Sequence, residues 1–299
     1  MNANETILTP SFVHTSGNLI PLFSEKVDGQ VFAQPLYLSG TTSSKLPGGW
    51  ADGQTHNNVV FVVTENATLY AFDADQDPKY VKGHGTSNPI WSLHLVPTGN
   101  TTAVPIPQID TNSAPDIRPL FGDTATPVID STQGIIYVVS ALKDTATLPA
   151  SHPYEQLLWA IDVKSGQPVN GGPVVINPQF NGSFPGDRNT PCSQTSQVPN
   201  TPNNTGCEND NEPAAPAGTI PFYPLHSHLR SALTLDNFSG HNTLYLAYAS
   251  HSDGQPYSGF VVGYNATTLQ QTTEFTTTPD NTFEAGIWMG ALVLLSILH

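Results

Sequence analysis

Residues 59–75, VVFVVTENATLYAFDAD, constrain the fold more than any other stretch of this chain. An apolar β run leads into a tight turn at Glu65-Asn66-Ala67, and a second β run closes on Asp73. Two later stretches repeat the plan. In the first, ATPVID, GIIYVVSA and LLWAIDVKSG follow one another; in the second, RSALTLD, NTLYLAYAS and GFVVGYNATT do. Each copy reaches the same landmark, Phe72-Asp73, Ile161-Asp162 or Tyr264-Asn265, with Ala or Gly just before it. An Asp or Asn there suits a tight turn between strands, because its side chain can accept hydrogen bonds from the backbone two or three residues on.

Such a copy is a four-stranded antiparallel sheet that cannot bury both faces alone, and radial stacking of copies solves that problem while leaving only short edges. The expected fold is therefore all-β, a β-propeller of four-stranded blades with about three blades present. A propeller ring uses about 4 to 8 blades, so this ring is expected to be incomplete. The blades fall near residues 31–95, 124–176 and 230–277 of a partial propeller spanning 1–288. Residues 22–26 and 173–176 read as further strands, and 284–288 as the start of a fourth copy. The landmarks are spaced at about twice the 40–50 residues of a usual blade. The surplus lies in insertions at 39–58, 97–123 and 177–229, which show no usable periodicity. A double Greek-key sandwich would also supply many short strands, but not this repeated plan.

The formal charge is −15 with only nine Lys and Arg, too few to neutralise phosphates, which excludes nucleic acid as a partner. It also disfavours an anionic membrane surface. Charged residues are only 11% of the chain, and Gly and Pro are plentiful, a mix that favours short strands and many turns.

Cys192 and Cys207 bracket a loop rich in Pro, Asn, Thr and Ser. A disulfide closing it would contribute roughly 3 kcal/mol; two unrelated thiols are the alternative. Asn-x-Ser/Thr sequons occur at Asn4, Asn66, Asn100, Asn181, Asn203, Asn237 and Asn265, mostly in turns or loops where a glycan fits. Together these features point to an extracellular, secreted protein, although MNANETILTP lacks the basic start and apolar core of a signal peptide.

With the copies aligned, the chain resembles the pyrroloquinoline-quinone-type (quinoprotein dehydrogenase-like) β-propeller repeat family. The carrying residues are VVFVVTENATLYAFDAD, TPVIDSTQGIIYVV with LLWAIDVKSGQ, and LYLAYASHSDGQPYSGFVVGYNATTLQ. The last contains Ala249-Ser250-His251-Ser252-Asp253 followed by Pro256-Tyr257, which looks like a signature of a secreted branch of these propellers. The resemblance implies a quinone with calcium as possible cofactors and an alcohol or sugar dehydrogenase as the related activity. Catalytic members resemble one another in an adjacent Cys-Cys pair and an Asp base. Here the cysteines are far apart and no compact acidic group stands out, so no cofactor is evident. Residues 289–299, MGALVLLSILH, depart from the pattern. They are apolar, too short to span a membrane, and read as the mark of a truncated or mis-spliced product; an ordinary closing strand is the alternative.

Ser250-His251-Ser252-Asp253 follows a strand, which puts it on a loop at one rim. His251 beside Asp253 suits a proton-transfer pair or half a metal site, or a loop that hydrogen-bonds itself. Arg230, Tyr257 and Trp288 are the expected companions of this rim site. His226 and His228 alternate onto one side of an extended chain, but with no adjacent acid they read as a chance pair, and no metal is expected. Trp159 reads as core, whereas Trp50, in a Gly-rich loop, is the candidate for stacking on a ligand. No nucleophile elbow, phosphate-cradling loop or dinucleotide fingerprint is present. The expected function is a secreted ligand-binding or scaffold module for a small molecule or carbohydrate; the alternative is an incomplete quinoprotein-type oxidoreductase.

Overall fold

The structure is a computed structural model of the chain, and it describes residues 10–15, 23–40, 49–75, 88–97, 101–105, 117–145, 148, 153–182, 218–220, 222–251, 258–279 and 285–288. By compactness the chain divides into two units, Met1–Lys26 with Gln76–Asn88, and Val27–Asp75 with Pro89–His299. In the first, a one-turn helix α1 (Pro10–His14) is closed by the Thr15 hydroxyl, which donates to the Ser11 carbonyl at 3.0 Å. Residues 23–26 form no strand.

The second unit is all-β, built of four antiparallel sheets, none of them closed. The first sheet is a meander of β1 (Leu36–Leu38), β2 (Val59–Thr64), β3 (Thr68–Asp73) and β4 (Trp91–His94). The second contains β5 (Thr101–Pro105), β6 (Leu120–Phe121), β7 (Val128–Asp130), β8 (Ile135–Asp144), β9 (Tyr154–Asp162) and β10 (Val174–Val175). Here β7, β8, β9 and β10 form the same meander, and β5 pairs with the far end of the long β8. The strands β11 (Phe180–Asn181) and β12 (Thr219–Ile220) make a small sheet of their own. The last comprises β13 (Ser227–His228), β14 (Thr234–Asp236), β15 (Thr243–Ser250), β16 (Phe260–Asn265) and β17 (Gln271–Thr276). Its meander runs β14, β15, β16, β17, with β13 on the far end of β15.

The three meanders share one register. Val59 lies opposite Leu38 and Asp73, Ile135 opposite Asp130 and Asp162, and Thr243 opposite Asp236 and Asn265. The landmark side chains then cap the turn that follows. Asp73 Oδ1 accepts from the Asp75 amide at 2.9 Å, Asp162 Oδ1 from Ser165 at 2.7 Å, and Asn265 Oδ1 from Thr267 at 2.9 Å.

The middle sheet is buried on both faces. Ile136, Val138 and Trp159 join Phe61, Val63, Leu69 and Trp91 of the first sheet in one core. Tyr137, Val139 and Leu158 join Leu244, Leu246, Tyr248 and Val262 of the last sheet in a second. This is the alternation of a strand with period two, apolar on both sides because both sides are covered.

Several segments differ from expectation. The insertion 97–123 contains β5 and β6, and 177–229 contains β11, β12 and β13, because these short strands pair with neighbours distant in sequence and carry no periodicity of their own. Residues 285–288 form no strand, although the Ile287 amide donates to the Tyr248 carbonyl at 3.1 Å. Among the described residues no helix is long and apolar enough to cross a membrane.

Candidate functional site

Polar groups gather where the second strands of the three meanders end. Glu65 sits in the β2–β3 turn, and its carboxylate reaches the segment leading into β7. Oε2 accepts from the Gly122 amide at 2.9 Å, and Oε1 from the Thr124 hydroxyl at 2.8 Å. Gly122 is required for that approach: a Cβ there would stand 2.7 Å from the Glu65 carbonyl and 2.8 Å from the Ala67 amide. The Gly122 carbonyl accepts from the amide of Ala141 within β8, and the Thr126 carbonyl accepts from that of Leu233. Residues 121–126 therefore link all three meanders.

On this segment Phe121 presents its ring edge-on to two imidazoles, His251 at 4.3 Å and His228 at 5.3 Å between ring centroids. The imidazoles stack on each other, 4.0 Å apart and within 7° of parallel. Chain pairing produces this stack, since His228 in β13 lies opposite Ala249 and the His251 amide donates to the His226 carbonyl. Trp288 stands edge-on to His228 at 6.2 Å and is 42% exposed. Gln156, in β9, donates through Nε2 to the carbonyls of Pro224 and Ser227, which holds the approach to β13 in place.

Burial dominates the electrostatics of this cluster. Burial pushes the Glu65 carboxyl up to about 7, against its two hydrogen bonds and the charge of Arg230. Burial, and next the neighbouring Glu65, push Asp123 well above the usual carboxylate range. Burial and then Arg230 push His228 down to about 3. His251 is held well below its ordinary value by burial, followed by His228, His226 and Arg230. Several of these buried atoms have no hydrogen-bond partner among the described residues: both carboxyl oxygens of Asp123, Nε2 of His228 and of His251, and the Ser231 hydroxyl. Leaving such a group unpaired costs on the order of 1–3 kcal/mol.

The structure thus brings Arg230, His251 and Trp288 together around His228, while Asp253 and Tyr257 lie outside the described residues. Sequence reasoning missed Glu65, Phe121 and Asp123, and set His228 aside. The available signal was the acid in the turn of an otherwise apolar hairpin, and the proximity of His226-Ser227-His228 to Arg230 in sequence.

Trp50 is elsewhere. It is 5% exposed within the first core and stands edge-on to His56 at 5.5 Å, so its burial leaves no open face for a ligand to stack on. His56 is clamped by Asp73 Oδ2 on Nδ1 at 3.0 Å and Asp52 Oδ2 on Nε2 at 2.9 Å. Among the sequons, the Asn66 amide donates to Asp28 Oδ2 at 2.7 Å, and the Asn265 side chain caps its own turn. Asn181 and Asn237 are exposed. Asn4, Asn100, Asn203, Cys192 and Cys207 lie outside the described residues. No group of three or more His, Cys, Asp or Glu side chains that could hold a metal occurs among the described residues. No protein-family model matches the chain, and no curated protein matches it.

Proposed function

We propose that the three meanders are blades of a β-propeller of the quinoprotein dehydrogenase-like kind, working outside the cytoplasm as a ligand-binding or scaffold module. Its ligand is taken at the enclosure formed by Asp123, His228, Ser231, Arg230 and His251. The shared register of the meanders supports the propeller reading, and the exposed sequons at Asn181 and Asn237 support the secreted one. The observation that carries the binding reading is the set of buried polar atoms without partners among the described residues. A small polar molecule or a sugar that both donates and accepts hydrogen bonds would satisfy them, with Phe121 and Trp288 supplying apolar surface.

The alternative is a quinoprotein-type oxidoreductase, which the repeat landmarks support. Its calcium requires about six to eight oxygen ligands. Both Glu65 oxygens are already engaged and no metal-holding group is found among the described residues, so these residues do not fit a quinone with calcium.

A thermal-shift screen of neutral sugars, sugar acids, hydroxy acids and amines tests the binding reading. At least one class is expected to raise the melting temperature, with the effect lost in His251→Gln and kept in Trp50→Phe. A screen in which every class leaves the melting temperature unchanged would contradict it. Reconstitution with quinone and calcium, followed by dye-linked alcohol or sugar oxidation, tests the alternative; turnover would favour it.

A further inference from the structure

Arg230 discriminates among the ligands this enclosure could take. Its guanidinium lies over the Phe32 ring at 5.9 Å, and its charge acts on Glu65, His228 and His251. It is half-buried beside two imidazoles whose buried Nε2 atoms have no partner among the described residues. An ammonium would be repelled by the Arg230 guanidinium. A carboxylate matches it, since planar two-point pairing with Arg is among the strongest charge-assisted contacts. Asp123 and Ser231 then remain, one carboxyl and one hydroxyl, both suited to ligand hydroxyl groups.

Resting on the binding reading above, we propose that the ligand carries a carboxylate beside hydroxyl groups, as a hydroxy acid or a uronic acid does. The carboxylate is seated on Arg230, His228 and His251, and the hydroxyls on Asp123 and Ser231.

Protonation follows from this seating. The imidazoles face Arg230, His226 and each other, and Glu65 faces Asp123 and Arg230. Burial and the charge of Arg230 keep both imidazoles neutral. A bound anion favours their charged form, so binding takes up protons and tightens as pH falls. Protonation of Glu65 below about 7 removes a nearby negative charge and acts in the same direction.

Isothermal titration of the full chain with D-glucuronate, D-gluconate and D-glucose tests this, at about pH 7.5 and about pH 6, either side of the Glu65 value of about 7. One of the two acids is expected to bind several-fold tighter at the lower pH, with proton uptake visible as a dependence of heat on buffer. Which acid binds separates a ring-form sugar acid from an open-chain hydroxy acid. Arg230→Lys keeps the charge but loses the fork, and is expected to weaken binding about tenfold, the scale of a lost charge-assisted bond. Should that variant melt early, Ser231→Ala serves as the second test, weakening binding without altering proton uptake. Glucose binding as tightly as either acid, or acid binding that is indifferent to pH, would overturn the carboxylate while leaving the enclosure as a binding site. Failure of all three would overturn the carboxylate too; the broader screen then decides whether the enclosure binds anything.

Discussion

Gly166 and Leu269 occupy equivalent positions after Asp162 and Asn265, both in the left-handed region, at φ 68° and 54°. Each closes its turn by donating to the landmark carbonyl, at 2.9 Å and 2.8 Å. A side chain in that conformation costs roughly 1–2 kcal/mol. Leu269 offsets this by burying its side chain in the second core, a gain of roughly 1.5–3 kcal/mol. Gly166 cannot do the same, because a Cβ there would meet the Trp91 ring at 2.7 Å. Gly166→Ala is therefore expected to destabilise by about 2–4 kcal/mol, the left-handed cost plus overpacking, measured by urea unfolding. Glu65 gives a prediction in pH. Its folded value, about 7, lies above its unfolded one, so its contribution is fully present below about 4.5 and is lost as pH rises through 7. Glu65→Gln removes that loss while keeping an acceptor for Gly122. The melting temperature of the variant minus that of the parent is expected to be positive at pH 7.5 and to shrink toward zero near pH 4.5; a difference constant with pH would contradict it.

Adjacent meanders are tied by one recurring hydrogen bond, from an aromatic side chain to the carbonyl just after the next landmark. Trp91 Nε1 donates to the Val163 carbonyl at 3.0 Å, and the Tyr137 hydroxyl donates to the Ala266 carbonyl at 2.9 Å. The two are not equally costly to lose. The Ala266 carbonyl keeps a second donor, Asn170 Nδ2 at 3.0 Å. Tyr137→Phe is thus expected to cost about 0.5–1 kcal/mol and Trp91→Phe, which also opens space, about 2–3 kcal/mol, both read from chemical denaturation. The strands that carry these contacts were legible in the sequence, since β2, β8 and β15 are apolar runs ending in turns and the landmarks mark their partners. The strand β5 was not, because Thr101–Pro105 pairs only with the extension of β8 past Ala141 and with the two-residue β6. The site was half legible. Arg230 and His251 stood out as polar residues beside strands. Glu65 and Asp123 did not, because their roles arise from contact between segments more than fifty residues apart and from burial that no local pattern encodes.

At the scale of the whole molecule, the middle sheet belongs to both cores, so damage to one core is expected to reach the other. Three of the four tryptophans, Trp50, Trp91 and Trp159, lie in the first core, so in a Trp288→Phe background fluorescence reports on it. Leu246→Ala, in the second core, is expected to cost about 2–5 kcal/mol and to move the fluorescence transition by the same amount; an unmoved transition would show the cores unfolding separately. The enclosure gathers groups from the link between the meanders and from the last sheet, so its geometry depends on that shared packing. A crystal structure of the chain at high resolution tests the enclosure most directly. Ordered density, water or ligand, is expected at about 2.7–3.2 Å from the Asp123 carboxyl and from Nε2 of His228 and His251. Density showing these atoms packed only against protein, with nothing between them, would contradict the assignment of a binding site.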